Sequence, residues 1–131
     1  MIFIDSNIPM YLVGAAHPNK DAARTALEGI IHQGERMVTS AEVMQEILHR
    51  YAAIRRPDGI QPAFDALLGV VDQVFPIDAE DVEEARDVMM GLGKLSARDA
   101  LHVAVMKRRG VKRILSFDTG FDAAGWVRRV P

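Results

Sequence analysis

Short apolar runs alternate with longer amphipathic segments along this chain, and this alternation restricts the possible folds most. Strands are predicted over five short runs, at residues 2–4, 37–39, 74–77, 112–116 and 126–130. Helices are predicted over five longer segments, at residues 19–33, 41–55, 60–72, 80–91 and from 96 to 110. Strands that are joined through helices are usually parallel, with right-handed crossovers. The pattern therefore predicts an α/β fold with a central, mostly parallel sheet of about five short strands.

Capping residues and prolines mark the boundaries of these elements. Ser40, Asp78 and Ser96 stand where the N-caps of three helices are expected. Pro9 fits the first turn of a short helix after the first strand. Pro76 lacks a backbone N–H, so it predicts that the strand at 74–77 lies at a sheet edge.

Length and composition narrow the function classes. The 131 residues fit one domain, spanning 1–131, and the absence of cysteine excludes disulfides, thiolate zinc sites and a cysteine nucleophile. We find no signal-peptide pattern and no apolar run near the ~20 residues that span a bilayer, so a cytoplasmic protein without membrane contact is expected. The net charge of −2 gives no support to nucleic-acid binding through bulk charge.

Two acids follow predicted strands directly. Asp5 comes after the first strand, and Asp118 follows the strand centred on Ile114. In open parallel sheets, ligands bind beyond the carboxyl ends of the strands. Both acids are therefore candidate metal ligands, although Asp5 is equally suited to cap the next helix and Asp118 is typical of a turn.

Other acids are ambiguous when each is taken alone. Asp99 lies three residues after Ser96, a spacing that resembles a capping box. Glu42 and Glu46 share one helix face, roughly opposite the stripe of Met44, Ile47, Leu48 and Tyr51. Periodicity therefore predicts that both glutamates face solvent, and Glu46 could pair with Arg50.

Four stretches together resemble the signature of PIN-domain nucleases, and more narrowly the VapC-type toxins of type II toxin–antitoxin pairs. They are Ile2-Phe3-Ile4-Asp5-Ser6-Asn7, Thr39-Ser40 followed by Glu46-Ile47-Leu48, Ser96-x-Arg98-Asp99-Ala100-Leu101-His102-x-Ala104, and Ile114-Leu115-Ser116-Phe117-Asp118-x-x-Phe121-Asp122. They occur in the family's order and spacing over nearly the whole chain.

The resemblance implies a three-layer α/β/α sandwich whose acids gather at one end of the sheet. It implies four residues that are both catalytic and metal-binding: Asp5, Glu46, Asp99 and Asp118. Asp122 is an optional fifth acid, and three small polar residues match positions that orient ligands or water: Ser6, Asn7 and Ser116.

The implied chemistry is hydrolysis of RNA phosphodiester bonds by an endoribonuclease that uses Mg²⁺ or Mn²⁺. Oxygen-only ligands suit these hard cations. The implied partners are an RNA substrate, a cognate antitoxin protein and a second copy of the chain in a homodimer.

Basic and uncommitted residues have both functional and structural interpretations. Candidates for RNA contact are Arg98, Arg55–Arg56, Lys107–Arg109, Lys112–Arg113 and Arg128–Arg129, all of which also suit solvated helix ends or strand surfaces. His102 is expected to be a packed, hydrogen-bonded structural histidine. Met89 and Met90 are expected in the core or in a subunit contact.

Three other functions are compatible with an acid after the first strand or with the fold. Haloacid-dehalogenase-like phosphatases need a second Asp where this chain has Asn7. Response-regulator receivers need a phospho-acceptor Asp after a central strand and a late Lys. Neither pattern fits this sequence well. The remaining alternative is a catalytically silent PIN-like module that binds RNA or protein. A test for metal-dependent RNA cleavage would distinguish this module from a nuclease.

Overall fold

Five strands form one parallel sheet in the computed structural model, which describes residues 1–131. The strands are β1 (Ile2–Ile4), β2 (Met37–Ser40), β3 (Gln73–Phe75), β4 (Arg113–Leu115) and β5 (Arg128–Val130). Their order is β3-β2-β1-β4-β5, and every neighbouring pair is parallel. The predicted parallel sheet of five short strands is confirmed, and β3 lies at one edge, as Pro76 indicates.

Six α-helices connect the strands. They are α1 (Asn7–Val13), α2 (Pro18–Gln33), α3 (Ala41–Ala53), α4 (Ile60–Leu68), α5 (Ala79–Leu92) and α6 (Ala97–Arg108), with short 3-10 helices at Pro57–Gly59 and Thr119–Ala123. Ser40, Asp78 and Ser96 cap α3, α5 and α6 as predicted. None of the helices has both the length and the apolar composition required to span a bilayer.

The ends of α3 and α4 come earlier than predicted. After α3, Arg55 adopts a left-handed backbone conformation with φ of 57°. The N–H groups of Arg55 and Arg56 then turn back to the carbonyls of Ala52 and Tyr51. This reversal satisfies the last carbonyls of the helix and stops it before residue 55.

The strand order explains the three layers. The connections from β1 to β2 and from β2 to β3 step in one direction across the sheet, whereas the connection from β3 to β4 steps back past β1. Right-handed crossovers then place α1–α4 on one face and α5–α6 on the other. The three residues of β1 are fully buried at the centre, so the strand is apolar throughout rather than alternating.

The change of direction also positions a site. β1 pairs with β2 on one side and with β4 on the other, so the chain leaves these strands in opposite directions. Such a switch point opens a crevice beyond the carboxyl ends of β1 and β4. Asp5 and Ser116 directly follow those two ends.

A buried ion-pair cluster joins α5 to α6, the helix that carries Asp99. Asp81 is fully buried and accepts hydrogen bonds from Arg108 Nη1 and Arg109 Nη1, both at 2.6 Å, and from the backbone N–H of Asp78 at 3.0 Å. Burial alone would raise the pKa of Asp81, but these donors hold it well below its usual range.

Asp81→Asn is therefore expected to lower the free energy of unfolding by about 1–3 kcal/mol, because two arginines lose their charged partner. Chemical denaturation at neutral pH measures this loss. A depressed pKa stabilises the fold above the unfolded value of about 3.9 and loses that effect as pH falls. The difference in free energy of unfolding between wild type and variant should therefore shrink on acidification.

Asp87→Asn is the matched control, since Asp87 pairs with Arg86 on the exposed face of the same helix. An equal effect of both substitutions would contradict the prediction.

Candidate active site

Asp5 lies at the centre of a hydrogen-bond network at the carboxyl end of β1. It is only 3% exposed. Its carboxylate accepts hydrogen bonds from the backbone N–H of Ser6 at 2.8 Å, from Ser116 Oγ at 2.6 Å and from Asn7 Nδ2 at 3.3 Å. Ser6, not Asp5, occupies the cap position of α1, and its side chain makes no capping bond. The capping alternative for Asp5 is therefore wrong, because its carboxylate bonds to Ser6, Asn7 and Ser116 and the cap position belongs to Ser6.

Glu46 points into the protein, contrary to the helical pattern. The buried stripe of α3 consists of Val43, Glu46, Ile47 and Tyr51, whereas Leu48 is 43% exposed. Glu46 Oε1 accepts a hydrogen bond from Ser6 Oγ. The predicted solvent position of Glu46 is therefore wrong, because a polar partner at the end of β1 makes a buried carboxylate tolerable.

Arg98 links Glu46 to the second glutamate of α3. Its Nη1 lies 3.6 Å from Glu46 Oε2, and its Nε donates to Glu42 Oε1 at 3.3 Å. Glu42 is half-buried and lies outside the contacts of Asp5. Arg50, the partner suggested by the sequence, makes no ion pair with Glu46 within 4 Å.

Asp99 and Asp118 converge beside Gly120. A methyl group placed on Gly120 would lie 3.0 Å from Asp118 Oδ1 and 3.7 Å from Asp99 Oδ2. Asp118 Oδ1 accepts a hydrogen bond from the backbone N–H of Gly120 at 2.8 Å, and Ser96 Oγ accepts one from the N–H of Asp99 at 3.1 Å. Burial and the neighbouring Asp118 carboxylate raise the pKa of Asp99 to about 6.

His102 is the residue of the site that sequence reasoning did not assign to it. Its fully buried ring packs between Phe3 and Phe121, so the expected packing is confirmed. The expected hydrogen bonding is wrong, since neither ring nitrogen has a partner. Nε2 instead lies 3.8 Å from Asp5 Oδ1 and 3.7 Å from Glu46 Oε1. The three-residue spacing from Asp99, which places both on one helix face, is the signal that could have found it.

The electrostatics of the site separate its acids. Burial raises the pKa of Asp5 against the opposing effects of His102 and Ser116. Burial also opposes ionisation of Glu46, but His102 and Ser6 together lower its pKa to about 2. Burial lowers the pKa of His102, and Glu46 and Asp5 outweigh this, so its pKa is raised. The cluster thus combines Glu46, whose pKa is lowered, with Asp5 and Asp99, whose pKa values are raised.

The donor set fits a divalent cation. Asp5, Glu46 and His102 each offer one ligand atom, and these atoms lie within 4.8 Å of one another. Asp99 borders this group because it lies one helical turn before His102 on α6, and Asp118 meets Asp99 beside Gly120. The crowded carboxylates are the feature of this group that a bound cation would stabilise.

Most of the basic residues proposed for RNA contact are engaged in ion pairs. Lys107 contacts Glu84, Arg56 contacts Asp58, Arg113 contacts Glu35, Arg129 contacts Asp122, and Arg108 and Arg109 hold Asp81. Arg55, Lys112 and Arg128 make no ion pair within 4 Å, and Arg98 contacts the acid cluster at Glu46. Asp122 pairs with Arg129 at 2.9 Å.

Comparison with known proteins matches both sequence and fold. The PIN domain family model matches residues 2–127. A VapC ribonuclease of Mycobacterium bovis and Ribonuclease VapC13 of Mycobacterium tuberculosis are each 58% identical over 130 residues, covering 99% of both chains. Ribonuclease VapC23 of Mycobacterium tuberculosis is 42% identical over 118 residues, covering 90% of this chain and 93% of the relative.

Solved structures show the same fold. Mycobacterium tuberculosis VapC20, described as a toxin that cleaves the sarcin–ricin loop, superposes with a TM-score of 0.80 at 24% identity and full coverage of both chains. VapBC2 from Rickettsia felis, solved with a DNA fragment of its promoter, superposes with a TM-score of 0.75 at 14% identity over 99% of this chain and 98% of that one. With the family model covering nearly every residue, this chain belongs to the PIN domain family.

Proposed function

We propose that this protein is a divalent-metal-dependent endoribonuclease and the toxin of a toxin–antitoxin pair. The observation that carries the proposal is the convergence of Asp5, Glu46, Asp99 and Asp118 on one end of the sheet, beside the buried His102. Full-length similarity to proteins named VapC ribonucleases supports the choice of RNA as substrate.

The four acids would hold Mg²⁺ or Mn²⁺, since carboxylate oxygens suit both hard cations. A bound ion of this kind supplies positive charge to a phosphate oxygen and acidity to the attacking water. A protein nucleophile is then unnecessary, which agrees with the absence of cysteine from the chain.

The chain's own residues perform the positioning. Ser116 and Asn7 orient the Asp5 carboxylate, and Ser6 orients Glu46. Ser96 caps α6 and so fixes the helical turn that carries Asp99. Arg98 places a guanidinium at the rim of the same cluster, where it can meet the phosphate backbone.

Cleavage of total RNA by the purified protein tests the proposal, with Mg²⁺, Mn²⁺, Ca²⁺ or EDTA in parallel. A sarcin–ricin-loop oligonucleotide belongs in the substrate panel, because VapC20 is described as cleaving that loop. Cleavage that requires Mg²⁺ or Mn²⁺ and stops in EDTA supports the nuclease. Metal and RNA binding without any cleavage would replace it with the silent binding module.

We further propose an antitoxin partner and a homodimer. Several proteins of the same fold are toxin–antitoxin complexes, including one from Klebsiella pneumoniae with a TM-score of 0.71. On α5, Val82 and Met89 are 54% and 38% exposed and line one groove, and the adjacent Met90 is 83% exposed, so this surface of the helix is the candidate contact between copies. Light scattering of the wild type and of a Met90→Lys variant tests the dimer, which the variant should weaken.

Metal binding is expected to weaken as pH falls below about 6. Asp99 must lose its proton to bind a cation, and its pKa is raised to about 6 in the metal-free protein. Below that pH, each ion displaces a proton, so the apparent affinity should fall by up to about tenfold per pH unit. Isothermal titration with Mn²⁺ between pH 7 and pH 5 measures the change, and buffers of different ionisation enthalpy count the protons released. An affinity that stays constant over this range would exclude Asp99 as a ligand.

A further inference from the structure

A cavity of about 420 Å³ opens between α1 and α3, next to the acid cluster. Its volume lies at the lower end of the range of small-ligand sites, roughly 300–1,000 Å³. Asn7 lines this cavity and also contacts Asp5 Oδ2 at 3.3 Å. A group in the cavity would therefore lie directly beside the proposed site of phosphodiester cleavage.

Aromatic rings form the wall of the cavity. The Tyr11 and Phe117 rings form a T-shaped pair, with ring centres 5.5 Å apart and planes at 85°, and the His17 ring centre lies 4.9 Å from that of Tyr11 with planes at 34°. On the side of α3, Tyr51 is buried and lines the same cavity. Rings that are already held in place can stack with a flat ligand at little entropic cost.

The charges around the cavity favour an anionic chain. None of its lining residues is acidic, although the protein as a whole has a net charge of −2. Arg50 lines the cavity, is exposed, and forms no ion pair within 4 Å. A neighbouring depression is lined by Arg50, His49 and Arg98 and extends the basic surface to the acid cluster. A basic track beside aromatic rings is the combination that binds single-stranded nucleic acid.

We propose that this cavity binds an unpaired base of the RNA strand next to the cleaved phosphate, with Tyr11 as the stacking residue and Arg50 on the backbone. The assignment rests on the proposed ribonuclease function and names the part of the substrate that the protein recognises. The unpaired arginine and the shared wall with the acids favour RNA over an apolar protein segment.

Fluorescence anisotropy in Ca²⁺ tests the assignment with two labelled probes of equal charge. One is oligouridylate of about ten nucleotides, within the usual site size, and the other is an abasic chain of the same length. The wild type should bind oligouridylate about 5- to 100-fold more tightly, which is the range for one stacked base. Tyr11→Leu should bind both probes alike, and Tyr11→Phe should keep the preference.

Arg50→Gln provides a second, independent variant at an exposed position. The substitution should weaken the binding of both probes equally. It should also reduce the magnitude of the slope of log affinity against log salt by about 0.7, the value for one phosphate contact on a single strand. Equal binding of the two probes by the wild type, or a preference that survives in Tyr11→Leu, would overturn the assignment and leave the cavity to a protein partner.

Cleavage of total RNA in Mn²⁺ by the same preparations separates the two proposals. If the protein cleaves RNA in a metal-dependent way but binds the oligouridylate and abasic probes equally, the cavity assignment alone is rejected. A folded wild type that neither cleaves RNA nor binds Mn²⁺ rejects the proposed function itself.

Discussion

Asp99→Asn is expected to reduce metal-dependent RNA cleavage at least about 100-fold while the protein stays folded. Asparagine keeps the shape of the side chain but removes the charge that a cation requires. The backbone N–H of residue 99 still donates to Ser96 Oγ, so the start of α6 is preserved. Cleavage rates in Mn²⁺, with circular dichroism of both proteins, measure the effect.

Asp122→Asn is the matched control for this substitution. Asp122 follows the same strand as Asp118 but pairs with Arg129 instead of joining the cluster. It should retain cleavage close to that of the wild type. An Asp99→Asn protein that still cleaves RNA within a few-fold of the wild type would remove Asp99 from the site.

His102→Leu is expected to lower the free energy of unfolding of the metal-free protein by about 3–5 kcal/mol. The substitution leaves two buried carboxylates, Asp5 and Glu46, without the positive charge that lies 3.7–3.8 Å away. Urea unfolding in EDTA measures the loss. His32→Leu, at an exposed position on α2, should change stability by only about 0.5 kcal/mol.

Metal and pH distinguish this charge effect from lost packing. A bound divalent ion supplies positive charge to the same carboxylates, so Mn²⁺ should narrow the gap between wild type and His102→Leu. The pKa of His102 is raised by folding, so its contribution is complete below the unfolded value of about 6.5 and is lost as pH rises through the folded value. The gap should therefore narrow above neutral pH as well. A gap that responds to neither change would reduce His102 to a packing residue.

The sheet was predictable because its signal is local. Each strand is a short apolar run, and each connection is long enough for a helix, so the parallel arrangement follows from the chain alone. The same logic placed Asp5 and Asp118 at strand ends. The caps at Ser40, Asp78 and Ser96 were also predictable, because a cap bonds to residues two or three positions away.

Glu46 and His102 were misjudged for one physical reason. A helical pattern identifies the buried face by assuming that buried residues are apolar. Both side chains are buried as charged or polar groups, and each lowers the energetic cost of burying the other. Ser6, which is forty residues from Glu46 along the chain, lowers that cost further. Only the resemblance to a known family selected Glu46 over Glu42.

The basic residues show the same limit at the surface. Arg113 is paired with Glu35, 78 positions earlier, and Arg108 and Arg109 with Asp81, nearly thirty positions earlier. Periodicity and near neighbours along the chain are enough to set the order and type of the elements and the end of the sheet where acids gather. Folding alone sets which acids face each other, which histidine lies between them and which arginines stay unpaired, because an ion pair depends on distance in space.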